Sequence, residues 1–423
     1  MNYFNRRRGE LFCERVSLIR LADRYGTPLY VYSLKTLVRH LRVVSQAFGS
    51  LPHSVFYSAK ANSNLTLLHL IAELGHGCDV VSVGEYLTAR KAGVKRIIFS
   101  GVGKKEEEIK TALKGGIEFF GVESAGELKT IEKIAASLKI AAPISLRVNP
   151  NVDPRTHRHI ATGLEKEKFG ISPNEAETLY LKINSSRWLK AVGISMHIGS
   201  QIRSVKPFVE ASGKLKSLYL KLLAQGVRLR YFDLGGGWAA PYSKSDKTAM
   251  PDDYVRAMLP HLRNLQVEFI VEPGRSIIAN AGVLLARVIY IKQGVGKTFA
   301  IIDAGMNDLI RPALYDAHHV IEPVVVRNGR RRQTDVVGPI CENADSFAKG
   351  IKLQSLKEGD LLCIFTAGAY GVSMASNYNS RPRPAEVLVD DTRTYLIRER
   401  EKISDLWRKQ KLIRRPWISP PLN

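Results

Sequence analysis

No stretch of this chain approaches the ~20 consecutive apolar residues that a membrane span requires. The N-terminal MNYFNRRRGELF has basic residues but no apolar run of signal-peptide length. Cysteine is scarce. The four present (Cys13, Cys78, Cys341 and Cys363) have neither metal-ligand spacing nor the pattern of a disulfide framework, so no metal is expected. Free thiols in a reducing cytoplasm are the expectation. Acidic residues are also in short supply, 40 against 63 Lys and Arg, for a net charge of +23. That excess is scattered, with clusters at Arg6-Arg7-Arg8, Arg330-Arg331-Arg332 and WRKQKLIRRP (407–416). No zinc-finger, RRM or helix-turn-helix pattern accompanies it, so nucleic acid is not the expected partner. The clusters read as a basic, soluble surface, while around the site the field is suited to drawing in an anionic cofactor or substrate.

What is present is globular: 45% hydrophobic and 24% charged residues over 423 positions, long enough for two domains. Residues 55–275 repeat one theme, a short β-rich run followed by a loop and an amphipathic helical segment. The strand candidates are 55–59, 78–82, 96–100, 118–122, 144–148, 192–197, 231–235 and 268–272. Helical stretches such as LTLLHLIAELG (65–75) and AGELKTIEKIAASLK (125–139) lie between them. Strand–helix alternation implies a parallel sheet, and about eight units close a (β/α)₈ TIM-type barrel; an open doubly wound sheet is the rival. From residue 277 the texture becomes strand-rich, with candidates at 282–292, 298–305, 319–326, 360–368 and 385–391. Asn328-Gly329 within VVVRNGRRRQTDVV predicts a hairpin. The expected division is a barrel over 27–276 and a mostly antiparallel β-domain from 1–26 and 277–423. A helix near 15–25 packs with the latter, and a basic tail containing Pro416, Pro420 and Pro421 ends poorly ordered.

In a barrel of this kind, function collects at the C-terminal strand ends. Here those ends carry Lys60 (in VFYSAKAN), Asp79, Arg147, HIGSQ (197–201), GGG (235–237) and EPGR (272–275). A lysine leaving a buried strand can be held as the neutral amine of Schiff-base chemistry, because burial lowers an ammonium pKa. The glycine triplet lets backbone N–H groups approach a phosphate, although a tight turn needs glycine too. Arg275 is either a phosphate or carboxylate contact or an ion pair with Glu272. His197 brings a ring, and Ser200 a hydroxyl suited to phosphate. Glu272 suits a pyridine nitrogen, whose protonation makes pyridoxal phosphate a stronger electron sink.

Together with YSAKAN, these motifs resemble the diaminopimelate decarboxylases, a family of barrel-type (fold type III) pyridoxal-phosphate decarboxylases. The resemblance extends through RVNPNVDPRTHRHIATGLEKEKFGI (147–171), MHIGSQI (196–202), DLGGG (233–237) and EPGRSIIAN (272–280). It continues in DAGMNDLIRPALYDAHH (303–319), GPICENAD (338–345) and GAYGVSMASNYNSRPRPAEV (368–387), with Asn343 a departure from the small residue expected there. It implies pyridoxal 5'-phosphate as cofactor and conversion of meso-2,6-diaminopimelate to L-lysine and CO2, the last step of lysine biosynthesis. A decarboxylase of ornithine or arginine, or a non-catalytic cofactor-binding relative, are the alternatives. By matched motif, Lys60 carries the cofactor, His197 stacks on its ring and Glu272 meets its nitrogen. Ser200, Gly236, Gly237, Gly274 and Arg275 surround the phosphate, Tyr370 closes over it, and Asp79 and Arg147 complete the cofactor site. Arg275, Arg311 and Tyr315, with Tyr370 nearby, address the substrate's distal carboxylate, and Glu342 its distal ammonium. The resemblance further implies a homodimer with shared active sites, in which Cys341 enters the other subunit's site as proton donor.

Overall fold

Eight short apolar runs pair in parallel, each with its neighbour in sequence, and the last closes on the first. The computed structural model describes residues 2–154, 156, 163, 168–243 and 245–413. It begins with β1 (Phe4–Arg7), β2 (Glu10–Cys13) and β3 (Val16–Ser17), then α1 (Leu18–Tyr25), β4 (Leu29–Ser33) and α2 (Leu34–Gln46). The barrel strands are β5 (His53–Ser58), β6 (Gly77–Val80), β7 (Ile97–Phe99), β8 (Phe119–Val122), β9 (Ala142–Arg147), β10 (Leu189–Ser195), β11 (Tyr231–Asp233) and β12 (Glu268–Val271). Between and after them run α3 (Leu65–Glu73), α4 (Val83–Lys91), α5 (Glu106–Lys114), α6 (Ala125–Leu138), α7 (Pro173–Ser185), α8 (Lys206–Ala224), α9 (Pro251–Leu262) and the short α10 (Arg275–Ile278).

The helices start where a serine hydroxyl takes a free N–H: Ser82 from Glu85, Ser124 from Glu127 and Ser172 from Glu175. Each such cap contributes about 1 kcal/mol. Phe56, Ile98, Phe119, Tyr231 and Ile270, one from each of five barrel strands, form a buried cluster separate from the core beneath the helices. Arg96 closes that end, bonding Glu118 at 3.2 Å and Glu268 at 3.0 Å with its guanidinium over the Phe56 ring. With the N-terminal ends plugged by side chains, chemistry is left to the opposite face.

The second sheet follows in β13 (Gly282–Gln293), β14 (Thr298–Ile302), β15 (Ile321–Pro323), β16 (Arg331–Val337), β17 (Ser346–Gln354), β18 (Leu361–Ile364), β19 (Ala385–Asp390) and β20 (Arg393–Arg398), with α11 (Arg311–Tyr315) inserted. The strand order is β17-β16-β14-β13-β4-β19-β20, and β18 joins β13 to β15. The twelve-residue β13 holds the sheet together: its first half pairs with β4 and β18, its second with β14, across a register shift near Val288–Tyr290. The sheet is mixed, since β4–β19 and β14–β16 are parallel. Helix α1 packs Leu18, Leu21 and Ala22 against Val283, Leu285, Cys363 and Val387 of this sheet.

Two sequence expectations need correction. β4 falls inside the span assigned to the barrel from residue 27, yet it pairs with β13 and β19. Its five residues are all buried, because alternate side chains pack into cores on opposite faces of the sheet, so an apolar run alone could not say which sheet owns it. The Asn328-Gly329 hairpin does not form: β15 pairs with β18, and β16 pairs with β14 and β17. The backbone leading into that turn is already taken, the Val324 N–H by Leu361 and the Arg327 N–H by the Gln354 side chain. The tail prolines and much of the 155–167 motif lie outside the described residues.

Candidate active site

The sequence YSAKAN becomes a strand end locked on three sides. Ser58 finishes β5 and donates its N–H to the Pro273 carbonyl at 3.2 Å. A single 3₁₀ turn, Ala59–Ala61, then lifts Lys60 into the barrel mouth. Asn62 is buried and donates to the Tyr32 hydroxyl at 2.9 Å, while Asn64 donates to Glu386 at 2.9 Å, both across to the second sheet. The Ala61 carbonyl accepts the Tyr370 N–H at 2.8 Å. The lysine is thus placed by both domains.

Lys60 Nζ lies 3.3 Å from Asp79 Oδ2, which also accepts from the Ser58 hydroxyl at 2.9 Å. Asp79 is fully buried, whereas the Lys60 side chain keeps 35% of its surface exposed. Burial pulls the Lys60 ammonium down, but Asp79, Tyr370 and Glu272 together outweigh it and leave the pKa above the ordinary lysine value. The expectation of a neutral amine is therefore corrected for the protein by itself. Several acids face one amine, and Coulomb attraction exceeds the desolvation cost.

Glu272, two residues before Gly274, is buried beside Asp233 at the end of β11. Asp233 accepts the Gly235 N–H at 2.8 Å on Oδ1 and interacts with Glu272 beside it. Burial, with each carboxylate opposing the other's charge, raises the Asp233 carboxyl well above its usual range. Glu272 is also raised, by burial, against the pull of Lys60 and Arg147. His197 Nδ1 accepts the Gly236 N–H at 3.1 Å, which leaves its ring proton on Nε2. Burial and the neighbouring Arg147 and Lys60 hold the imidazole neutral. Arg147 itself is clamped by Glu123 at 2.9 Å and by the His197 carbonyl at 3.1 Å.

The glycine triplet has no room for side chains. A Cβ on Gly235, Gly236 or Gly237 would sit 2.2, 2.2 and 2.1 Å from the carbonyl oxygens of Met196, Glu272 and Gly199. Gly235 and Gly237 also have φ values of 68° and 100°. Gly274 packs against Ala61 and Ser58, bringing Arg275 toward Ser200, to whose hydroxyl it donates at 3.1 Å. The rival ion pair with Glu272 does not form. Arg275 instead donates to the Tyr242 hydroxyl at 2.7 Å and lies over the Tyr370 ring at 4.8 Å.

Beyond Arg275 opens a cavity of about 830 Å³, lined among others by Gln201, Tyr242, Arg311 and Tyr315. Arg311 is buried, donates to His319 Nε2 at 3.0 Å and lies over the Tyr242 ring at 4.9 Å. Cys341 and Glu342 do not line this cavity. They are exposed on a loop built around buried Asp345, which accepts the N–H groups of Met306 and Ile340 at 2.7 Å each. On that loop the Cys341 N–H donates to Asn379 at 3.2 Å, and Glu342 accepts from the Tyr378 hydroxyl.

One chain thus gathers Lys60, Asp79, Arg147, His197, Ser200, Gly236, Gly237, Glu272, Gly274, Arg275 and Tyr370 at the barrel mouth, with Arg311 and Tyr315 beside them. Sequence reasoning missed Asp233, Tyr242, His319, Tyr378 and Glu123. Asp233, a charge at the end of an apolar strand, carried the one signal that could have been read; Tyr242 sits in a loop with none.

The constellation of strand-end lysine, acid pair, neutral histidine and glycine cradle defines a cofactor-binding barrel enzyme. Residues 34–279 match the family of pyridoxal-dependent decarboxylases over its pyridoxal binding domain, and the chain belongs to that family. The full-length likenesses are narrower. The chain is 47% identical over 417 residues to the diaminopimelate decarboxylase of Vibrio cholerae, covering 98% of this chain and 100% of that one. Its fold matches the Helicobacter pylori diaminopimelate decarboxylase complexed with L-lysine (TM-score 0.89, 44% identity, 92% of this chain and 98% of that one). It also matches that of M. jannaschii in co-complex with L-lysine (TM-score 0.93, 37% identity, 97% and 98%). The mouth fits pyridoxal phosphate on its own terms. The cradle would be filled by any Cβ, the acid pair has a proton to share with a ring nitrogen, and buried Arg275 keeps an Nε–H without a partner.

Proposed function

We propose that this chain decarboxylates meso-2,6-diaminopimelate to L-lysine and CO2, the closing step of lysine biosynthesis, as a pyridoxal-phosphate enzyme in the cytoplasm. The observation that carries the substrate choice is the pair of buried arginines, Arg275 and Arg311, facing one cavity with Tyr315. Ornithine and arginine bring a cationic distal end, which two buried guanidinium groups repel. A substrate with a carboxylate at its unreactive end supplies the counter-ion they lack.

When bound, pyridoxal phosphate supplies an electron sink for the pair left behind as the carboxylate departs. Lys60 would hold it by its aldehyde carbon. Glu272, backed by Asp233, would hold a proton toward the ring nitrogen, and His197 would meet the ring as a neutral imidazole. Ser200, the N–H groups around Gly236 and Gly237, Gly274, Arg275 and Tyr370 would hold the phosphate end. The C–COO⁻ bond breaks, CO2 leaves, and the carbon takes a proton.

The donor of that proton is Cys341. Its exposed position outside the cavity of its own chain supports a homodimer in which the loop bearing Cys341 and Glu342 enters the other subunit's barrel mouth. Sγ–H there protonates the carbon and is restored from solvent, while Glu342 receives the substrate's distal ammonium.

Turnover on meso-diaminopimelate, ornithine and arginine is the test. CO2 release with L-lysine as product from the first, and at least a hundredfold less from the others, is expected. Equal turnover of ornithine would overturn the substrate reading, and no CO2 from any of the three would overturn the enzyme.

A further inference from the structure

Two guanidinium groups buried in one wall repel each other. Burial, and Arg275 nearby, push the Arg311 pKa below its ordinary value. Among the described residues neither arginine takes part in an ion pair; every partner each one has is neutral. The Nε–H of both is buried without an acceptor.

Two side chains share the task of holding them. Tyr242 touches both arginines. Its hydroxyl accepts from Arg275 at 2.7 Å, and its ring face lies under the Arg311 guanidinium at 4.9 Å. Its backbone N–H is pinned by Asp246 at 2.8 Å. His319, 1% exposed, stands edge-on to that ring at 5.3 Å and 83°. Its Nδ1–H donates to the Phe365 carbonyl at 2.8 Å, so its Nε2 has the lone pair that accepts from Arg311 at 3.0 Å. One neutral tautomer satisfies both bonds. Burial and Arg311 keep the ring in that state, with the His319 pKa pushed down to about 3.

We propose that Tyr242 and His319 are positioning residues for carboxylate recognition: they fix Arg275 and Arg311 through neutral partners, so that Arg311 keeps its positive charge for the distal carboxylate and Arg275 keeps its own for the anionic groups on either side of it. The inference rests on the reading that the substrate has such a carboxylate. A carboxylate in place of His319 would bind Arg311 more strongly and spend its charge inside the protein. An aromatic hydroxyl and an imidazole orient without neutralising.

L-lysine and cadaverine differ by the one carboxylate in question, and calorimetric titration of each into the pyridoxal-phosphate-loaded enzyme reads its worth. The wild type should favour lysine by at least about tenfold. His319→Glu should fold, with an unchanged or higher melting temperature, yet lose most of that preference, while cadaverine affinity stays put. Tyr242→Phe keeps the ring and drops the hydroxyl, and should weaken lysine on the order of tenfold. His319→Gln offers an acceptor and a donor at similar reach, and should hold lysine within about threefold of wild type. If His319→Glu does not fold, Tyr242→Phe alone decides. A lysine-to-cadaverine preference unchanged in both variants would overturn the inference. Failure of the wild type to release CO2 from meso-diaminopimelate would sink the substrate reading instead, with the lysine preference still deciding this one.

Discussion

The barrel mouth and the Cys341 loop are built to opposite plans. At the mouth, Asp79, Asp233, Glu272 and Arg275 are all buried, and the acids sit on or just past strand ends that a closed sheet holds rigid. On the loop, Asp345 is buried as an anchor while Cys341, Glu342 and Asn343 face outward, Cys341 bonded to Asn379 and Glu342 to Tyr378 on the same surface. The difference separates two jobs. On the proposed function, the first would hold the cofactor from residues of one chain, and the second would supply a proton and a charged recognition group to a second copy.

Lys60→Ala breaks the first region outright. Turnover should fall by on the order of 10⁴-fold or more, and the cofactor's bound absorbance band should vanish, because no other amine stands at that strand end. Cys341→Ala tests the second. The bound band should persist while kcat drops roughly 10²–10⁴-fold, the usual worth of a positioned acid. Glu342→Gln sharpens the contrast, raising KM for diaminopimelate by about tenfold with little change in kcat, as loss of one charge-assisted bond does.

An effect on stability alone, with no change in chemistry, belongs to the second sheet's scaffold. Burial raises the Asp308 carboxyl to about 7, although it accepts the Gly305 N–H. Folding then takes up a proton between the unfolded value near 4 and 7, so this group's contribution to stability falls as pH rises through that window and is flat above it. Asp308→Asn removes the dependence. Its melting temperature relative to wild type should climb from pH 5 to pH 8, by a free-energy change on the order of 3 kcal/mol. A parallel pair of curves would mean that the carboxyl ionises normally.

The two regions also differed in how far the sequence could be read. Barrel strands are buried on both faces and appear as compact apolar runs, and the polar residues that interrupt their ends form the candidate site. All eight were therefore legible, together with every glycine of the cradle. The second sheet was legible at β13, β14, β15, β18 and β19 but not at its rims. There β17 (SFAKGIKLQ) and β20 (RTYLIR) alternate toward solvent; the separate sheet β1-β2-β3, of two to four residues per strand, was not legible either. Asn328-Gly329 misled because a turn signal is local, while partner choice is made by the sheet. The Lys60 pKa misled for a related reason: its burial is written in the flanking residues, but Asp79 and Glu272 reach it only once the barrel closes. His319 and Tyr242 were invisible as functional residues, since their meaning lies in the arginines they hold.

The division of labour between the two regions is tested most directly by mixing. Lys60→Ala and Cys341→Ala proteins, each nearly inactive alone, are unfolded together, refolded and reloaded with pyridoxal phosphate. A heterodimer then contains one site with both residues intact, so the mixture should recover about a quarter of wild-type turnover. Heterodimers demonstrated by mass but showing no recovered CO2 release would contradict a site shared between subunits.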